Sequence, residues 1–337
     1  MRSGHNHVRR AEAAVWMVIG LMAIVIAGFA LLTSFEIAWR SFLAPAILAP
    51  LLASGGWFYR SVRNEQRLGA ILASTAQIIG FAAVAAPLSY IAAAAGFALQ
   101  DMTMDAWDHD LQFDWMQMVM FISSYPLLQL VLLLAYSSFA LQTVTTVLAL
   151  GIAGQLDRLG IFVTAFVCTT LVTIAVSAVY PATGPWLFLD IQPAMANGFL
   201  PASSTSWPVF IGLRDGTLHT VYGLNSEGII TFPSLHAALG ILFAAALWRV
   251  RGVRWIALAL NGLMLVATPA YGSHYVVDVI AGIGVAAVCW IVVARLFEAN
   301  PDSTQQHLAT IQDPPSIVPE AVSGPNAAAS SRKFESV

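Results

Sequence analysis

The chain has 337 residues, of which 58% are hydrophobic and only 10% are charged, and its formal net charge is −3. Soluble domains usually carry about 25% charged residues, so this composition favours a membrane protein. The slight acidic excess argues against a nucleic-acid partner, because a phosphate backbone requires a basic surface. The two cysteines, Cys168 and Cys289, lie singly in apolar runs and show no disulfide or metal-site spacing.

Eight apolar stretches approach the length of about 20 residues that a helix needs to cross a bilayer. They cover approximately residues 12–33, 42–59, 70–98, 126–150, 161–180, 234–250, 254–271 and 275–297. The first is interpreted as a retained helix, because it lacks the small-residue cleavage pattern of a signal peptide. The sequence therefore predicts an all-α, polytopic transmembrane bundle of about eight spans.

The arginines predict the orientation of these spans. In an eight-span arrangement nearly all of them fall on one side, and only Arg40 and Arg214 fall on the other. By the positive-inside rule, both termini are expected to be cytoplasmic. The expected membrane is the inner (plasma) membrane. The acidic segment 101–114 and the loop 181–233 then face outward. From residue 299 the chain is polar and rich in Pro, Ser and Gln, which predicts a disordered cytoplasmic tail over 299–337.

Two histidines begin membrane spans on the same, outer side. His236 lies in TFPSLHAALG and His274 in YGSHYVVDVIAG, so the topology alone brings them to one depth. Ser234 is a natural N-cap, and the free N–H groups of a helix start favour an anion. Asp278 follows His274 by four residues, so its carboxylate lies on the same helix face and can orient the imidazole.

A single histidine near a membrane surface is more often a structural residue than a catalytic one. Two on converging helix starts, one with a carboxylate at i+4, favour a catalytic interpretation. The alternative is a transporter or scaffold that uses the histidines for proton coupling or for structure. That alternative predicts ionisable residues deep in several spans, whereas this sequence places them at helix starts. For the acidic segment around Asp108, a solvated loop is weighed against contact with a headgroup or cation.

The motifs FPSLHA and GSHYVVD resemble the second and third signatures of the type-2 phosphatidic acid phosphatase superfamily. They are most similar to the branch that contains inositol phosphorylceramide synthase, in which the arginine of the third motif is missing. The resemblance implies a six-helix core over 70–298, preceded over 1–69 by an N-terminal segment and two accessory helices. It also implies that His274 is the phosphorylated nucleophile, that Asp278 orients it, and that His236 is the proton shuttle.

The resemblance further implies a membrane lipid phosphate as substrate, without a metal or cofactor. The phosphoryl group passes to water or to a second alcohol, and the sequence leaves this choice and the oligomeric state open. The family's usual cationic clamp is absent, because Thr268 replaces the arginine of the third motif and YPATGPW (180–186) stands where the first motif would be. The substrate-binding candidates are Ser234, Ser273, Arg214, Tyr180, Pro185 and Trp186.

Overall fold

The computed structural model describes residues 4–223 and 227–298. Within these residues the chain forms thirteen α-helices. They are α1 (Gly4–Leu32), α2 (Leu43–Ser61), α3 (Gln66–Ala94), α4 (Asp101–Asp110), α5 (Trp115–Ser123), α6 (Pro126–Ser137), α7 (Phe139–Ile152), α8 (Leu156–Val179), α9 (Pro185–Phe188), α10 (Trp207–Asp215), α11 (Leu235–Leu247), α12 (Arg254–Gly272) and α13 (Val276–Glu298). The prediction of an all-α, polytopic membrane bundle is confirmed. The predicted tail, 299–337, lies outside the described residues.

The remaining elements are short. Three 3₁₀ turns occur in the described residues, at Trp39–Phe42, Pro193–Ala196 and Ala202–Ser206. Strands β1 (Glu36–Ile37) and β2 (Thr220–Val221) form a parallel pair, with Glu36 opposite Thr220. This pair ties the connection between α1 and α2 to the long loop before α11.

Six of the eight predicted spans are helices long and apolar enough to cross a membrane. Among the described residues they are Val8–Leu32, Trp39–Ser61, Gln66–Ala94, Leu156–Val179, Arg254–Gly272 and Val276–Glu298. These segments are apolar on all sides, so each helix can contact lipid on one side and pack against neighbouring helices on another. The proline in α2, Pro50, and the one in α3, Pro87, lie within continuous helices.

The other two predicted spans differ from simple crossings. The stretch 126–150 is divided at Ser138 into α6 and α7, and α11 has only 13 residues, which is short for the hydrocarbon layer. The preceding segment forms α5, which is bent by 113° relative to α6. Pro126 explains this bend, because it lacks an N–H and forces Tyr125 into an extended conformation.

The main apolar core is built chiefly from α3, α8 and α11, and Met264 joins it from α12. Its largest side chains include Phe81, Phe162, Phe243 and Met264, all fully buried. The short helix α11 packs against α7, α8, α12 and α13, and its alanines allow this close approach on several sides. The start of α11 is therefore held rigidly, which matters because His236 lies there.

The first two helices pack on the outside of this core. Helix α2 packs chiefly against α3, and α1 packs against α3 and α8. The carboxylate of Glu12 in α1 accepts two hydrogen bonds of 2.7 Å from the guanidinium of Arg60 in α2. The predicted boundary between an accessory segment, 1–69, and a core, 70–298, stays a prediction.

Basic residues and the two histidine motifs lie at opposite ends of α11. The Nε of Arg158, at the start of α8, donates to the carbonyl of Ala246 near the end of α11, at 2.7 Å. Gln155 reaches the carbonyl of Arg249 at the same end, at 3.2 Å. His236 belongs to the first turn of α11, so it lies at the opposite end of this helix from Arg158 and Arg249.

Candidate active site

His274 and Asp278 form a buried pair at the start of α13. The Nδ1 of His274 lies 3.1 Å from the carboxylate Oδ2 of Asp278, and the two residues are 3% and 0% exposed. The same Oδ2 accepts the backbone N–H of Tyr275 at 3.0 Å. A carboxylate placed on Nδ1 fixes the tautomer in which Nδ1 carries the proton, so Nε2 presents its lone pair.

The starts of α11 and α13 are joined directly through Ser234. Its backbone N–H donates to the carbonyl of Asp278 at 3.0 Å, and its hydroxyl lies 3.4 Å from His274 Nε2. The hydroxyl also caps α11 by accepting the N–H of Ala237 at 3.3 Å. Gly282 permits this approach, because any Cβ there would collide with the Ser234 carbonyl. The two histidine motifs are thus one rigid unit.

His236 is held by aromatic rings. Its imidazole stacks on the ring of Tyr136, with centroids 4.2 Å apart and planes inclined by 13°. Phe139 meets the same imidazole edge-on at 5.1 Å. Tyr136 belongs to α6 and Phe139 to α7, so the break between these helices delivers both rings to His236.

Both histidines line one cavity of about 360 Å³. Its apolar wall comes mainly from α3, α8 and α11, through residues that include Phe81, Phe166, Ile174 and Leu239. Hydroxyl groups also line it, and they belong to Ser89, Tyr136, Thr170, Thr183, Ser203, Ser206 and Thr231. Among the described lining residues there is no lysine or arginine, and the only carboxylate belongs to Glu227. The cavity therefore offers an apolar wall, several hydroxyl groups and one carboxylate beside two imidazoles.

Three of the predicted substrate-binding residues, Ser273, Pro185 and Trp186, do not line the cavity and instead support the loop that carries His274. Ser273 adopts a left-handed conformation with φ 53°, and its hydroxyl accepts the backbone N–H of Trp186 at 3.1 Å. Pro185 and Trp186 are buried at the start of α9, and the Trp186 ring packs on Trp115 and Trp207. This contact fixes the loop that carries His274.

Arg214 and Tyr180 lie farther from the histidines. The Nη2 of Arg214 donates to the carbonyl of Phe97 at 2.7 Å, and its guanidinium packs over the ring of Phe210, which lines the cavity. Tyr180 is half exposed and packs against Phe232. Neither side chain lines the cavity in the described part of the chain, so neither replaces the missing cationic clamp there.

The acidic segment 101–114 is solvated only in part. Residues Asp101–Asp110 form α4, in which Asp101 and Asp108 are buried, whereas Asp110 and Asp114 are exposed. Asp108 accepts the N–H groups of Val276 and Val277, at 2.8 and 3.0 Å, and so caps α13. Burial raises the pKa of the Asp108 carboxyl, while these two bonds oppose that rise. Asp101 holds the N–H groups of Thr183 and Gly184. Helix α4 therefore fixes the start of α13, which follows His274, and the segment 183–184, which packs against Ser273.

Comparison with protein families agrees with this geometry. The model of the PAP2 superfamily matches residues 103–292, which include both histidines and the cavity-lining parts of α6 to α11. The chain belongs to the PAP2 superfamily. No curated protein and no solved structure matches it.

A PAP2 protein of this kind is a multi-pass membrane enzyme of the phosphatase type, acting on lipid phosphates by hydrolysis or phosphotransfer. The match begins within α4 and ends within α13, so α1 to α3 lie outside it. Helix α3 nevertheless contributes Phe81 and Ser89 to the cavity. In this PAP2 protein the cavity is thus completed by a helix that the family pattern does not include.

Sequence reasoning missed two parts of the site. Tyr136 lies in a long apolar stretch, a hundred residues before His236, and nothing in its spacing indicates the stacking. The residues of α3 and α8 that line the cavity belong to helices that are apolar on all sides, so periodicity cannot identify their cavity face.

Proposed function

We propose that this chain transfers the phosphoryl or phospho-headgroup of a membrane lipid to His274, and then to water or to a second alcohol. The observation that carries this proposal is the buried His274–Asp278 pair, whose Nδ1 is engaged while the imidazole lines the cavity shared with His236. A nucleophile oriented by a carboxylate, beside a second imidazole able to move a proton, is the arrangement that a two-step displacement requires.

The proposed reaction has two displacements. In the first, the Nε2 lone pair of His274 forms a bond to phosphorus, and the bond from phosphorus to the lipid oxygen breaks. Protonated His236 gives its proton to the leaving oxygen. In the second, neutral His236 takes a proton from water or an alcohol, whose oxygen attacks phosphorus, and the bond between phosphorus and Nε2 breaks. Asp278 stabilises the positive charge on the His274 ring during each displacement.

The shape and polarity of the cavity support a lipid substrate. Its apolar wall between α3, α8 and α11 suits the hydrocarbon part of a lipid, and its hydroxyl groups suit the polar part. We place the chain in the branch similar to inositol phosphorylceramide synthase. The sequence supports this placement through the motifs FPSLHA and GSHYVVD, the segment YPATGPW, and Thr268 in place of an arginine.

A substrate comparison tests the proposed function. Purified protein in detergent should consume a phosphorylated lipid and release either inorganic phosphate or, when an alcohol such as inositol is supplied, the phosphate ester of that alcohol. Branch membership predicts that the alcohol diverts the phosphoryl group away from water. The control is the same mixture with the His274→Asn variant. Folded protein that turns over no phosphorylated lipid in a panel of phosphatidate, lysophosphatidate and phosphatidylinositol would contradict the proposal.

We also propose that the site opens on the non-cytoplasmic face. Support comes from the arginine distribution and from the placement of Arg158 and Arg249 at the opposite end of α11 from His236. Cysteines are introduced at Met195 (59% exposed) and at Val62 (55% exposed), which lie on opposite sides of the proposed arrangement. An impermeant maleimide should label Met195→Cys in intact cells and Val62→Cys only after lysis. The reverse pattern would show that the orientation is inverted.

A further inference from the structure

Tyr136 lies between the two histidines, and its hydroxyl is unpartnered. Its ring stacks on His236, the residue is 9% exposed, and it lines the cavity. In residues 4–223 and 227–298 no group forms a hydrogen bond with this hydroxyl. The phenol is therefore a donor that faces the cavity with its hydrogen-bonding capacity unused.

The neighbouring tyrosines differ in this respect. The hydroxyl of Tyr271 donates to the Gln129 carbonyl at 2.7 Å, and that of Tyr275 donates to the Asp101 carboxylate at 3.2 Å. The hydroxyl of Tyr90 accepts the backbone N–H of Glu227 at 2.9 Å. Buried phenols normally find a partner, so the Tyr136 hydroxyl at the cavity wall is available to a group that occupies the cavity.

Gly272 shows how close the phenol lies to the proposed nucleophile. A Cβ built on this glycine would lie 3.0 Å from His274 Nε2 and 3.1 Å from the Tyr136 hydroxyl. Nε2 and the phenol oxygen are therefore no more than about 6 Å apart, and the His274 ring takes up the space that a side chain at Gly272 would need. A phosphoryl group that Nε2 attacks from the cavity would bring a non-bridging oxygen within reach of the phenol.

We infer that Tyr136 binds a non-bridging phosphoryl oxygen of the substrate by donating a hydrogen bond from its hydroxyl, in place of the missing cationic clamp. This inference rests on the proposed function. The cavity lining supplies no lysine or arginine in the described part of the chain, so a neutral donor has to supply part of the binding of the phosphoryl oxygens. The ring of Tyr136 also stacks on the His236 imidazole and fixes its plane. One side chain would therefore both bind the phosphoryl oxygen and orient the proton carrier.

The test compares Tyr136→Phe with Tyr271→Phe. The first variant keeps the stacked ring and loses only the hydroxyl at the cavity wall. The second loses a hydroxyl that bonds to a backbone carbonyl in the same aromatic cluster, so it controls for a general structural effect. Two competitive inhibitors are measured: inorganic vanadate, which mimics the phosphoryl group, and the dephosphorylated lipid of the best substrate, which lacks it.

Tyr136→Phe should raise the vanadate inhibition constant roughly tenfold to a hundredfold, as expected for loss of a hydrogen bond to a charged group. It should leave inhibition by the dephosphorylated lipid unchanged, and Tyr271→Phe should alter neither. Equal vanadate inhibition of wild type and Tyr136→Phe would overturn the inference. Failure of the proposed function is recognised separately, because wild-type protein would then acquire no phosphate on His274 from a radiolabelled lipid phosphate.

Discussion

Replacing His274 with alanine is expected to lower turnover of a lipid phosphate by roughly 10⁵- to 10⁶-fold, as occurs when a covalent nucleophile is removed. Among the described residues, His274 is the one whose side chain forms a hydrogen bond with the Asp278 carboxylate. His274→Asn should have the same effect. Its side-chain amide can still donate to Asp278, so folding is preserved, while the nitrogen that attacks phosphorus is lost.

The measurement that decides this prediction is the phosphorylated protein itself. Brief exposure to a lipid carrying radiolabelled phosphorus should leave an acid-labile, base-stable label on wild-type protein and none on either His274 variant. His109→Ala provides the control, because the His109 side chain is 71% exposed on α4 and plays no part in the cavity. Full turnover by folded His274→Ala would exclude the phosphohistidine mechanism.

Replacing His236 with phenylalanine is expected to separate the two displacements. The new ring can still stack on Tyr136 and Phe139, so packing is preserved while the proton carrier is lost. General acid–base catalysis contributes about 10²- to 10⁴-fold, and a loss of this size is expected for a lipid alkoxide leaving group. With a nitrophenyl phosphate the first displacement should stay fast, because a good leaving group departs without a proton.

The second displacement still requires His236 to activate water or an alcohol. Phosphorylated protein should therefore accumulate in His236→Phe when the nitrophenyl substrate is used, and steady-state turnover should remain slow. A burst of nitrophenol that equals the amount of protein measures this directly. Equal losses with lipid and nitrophenyl substrates, without accumulated label, would exclude His236 as the proton shuttle and leave it a structural partner of Tyr136.

Much of this arrangement could be predicted from the sequence, because it depends on local patterns. Continuous apolar stretches specify membrane helices, and six of them form helices of sufficient length. The i, i+4 spacing of His274 and Asp278 places their side chains on one face, and the structure gives a separation of 3.1 Å. Ser234 caps α11 as its position before an apolar helix predicts.

The tertiary structure decided what depends on contacts between distant segments. Asp108 is surrounded by polar residues in the sequence, which favours a solvated loop. In the structure α13 buries it, because the unpaired N–H groups at a helix start require an acceptor. The break between α6 and α7 brings Tyr136 to His236 across a separation of one hundred residues. An apolar helix carries no pattern that identifies which face meets a cavity, so only packing could place the phenol beside both histidines.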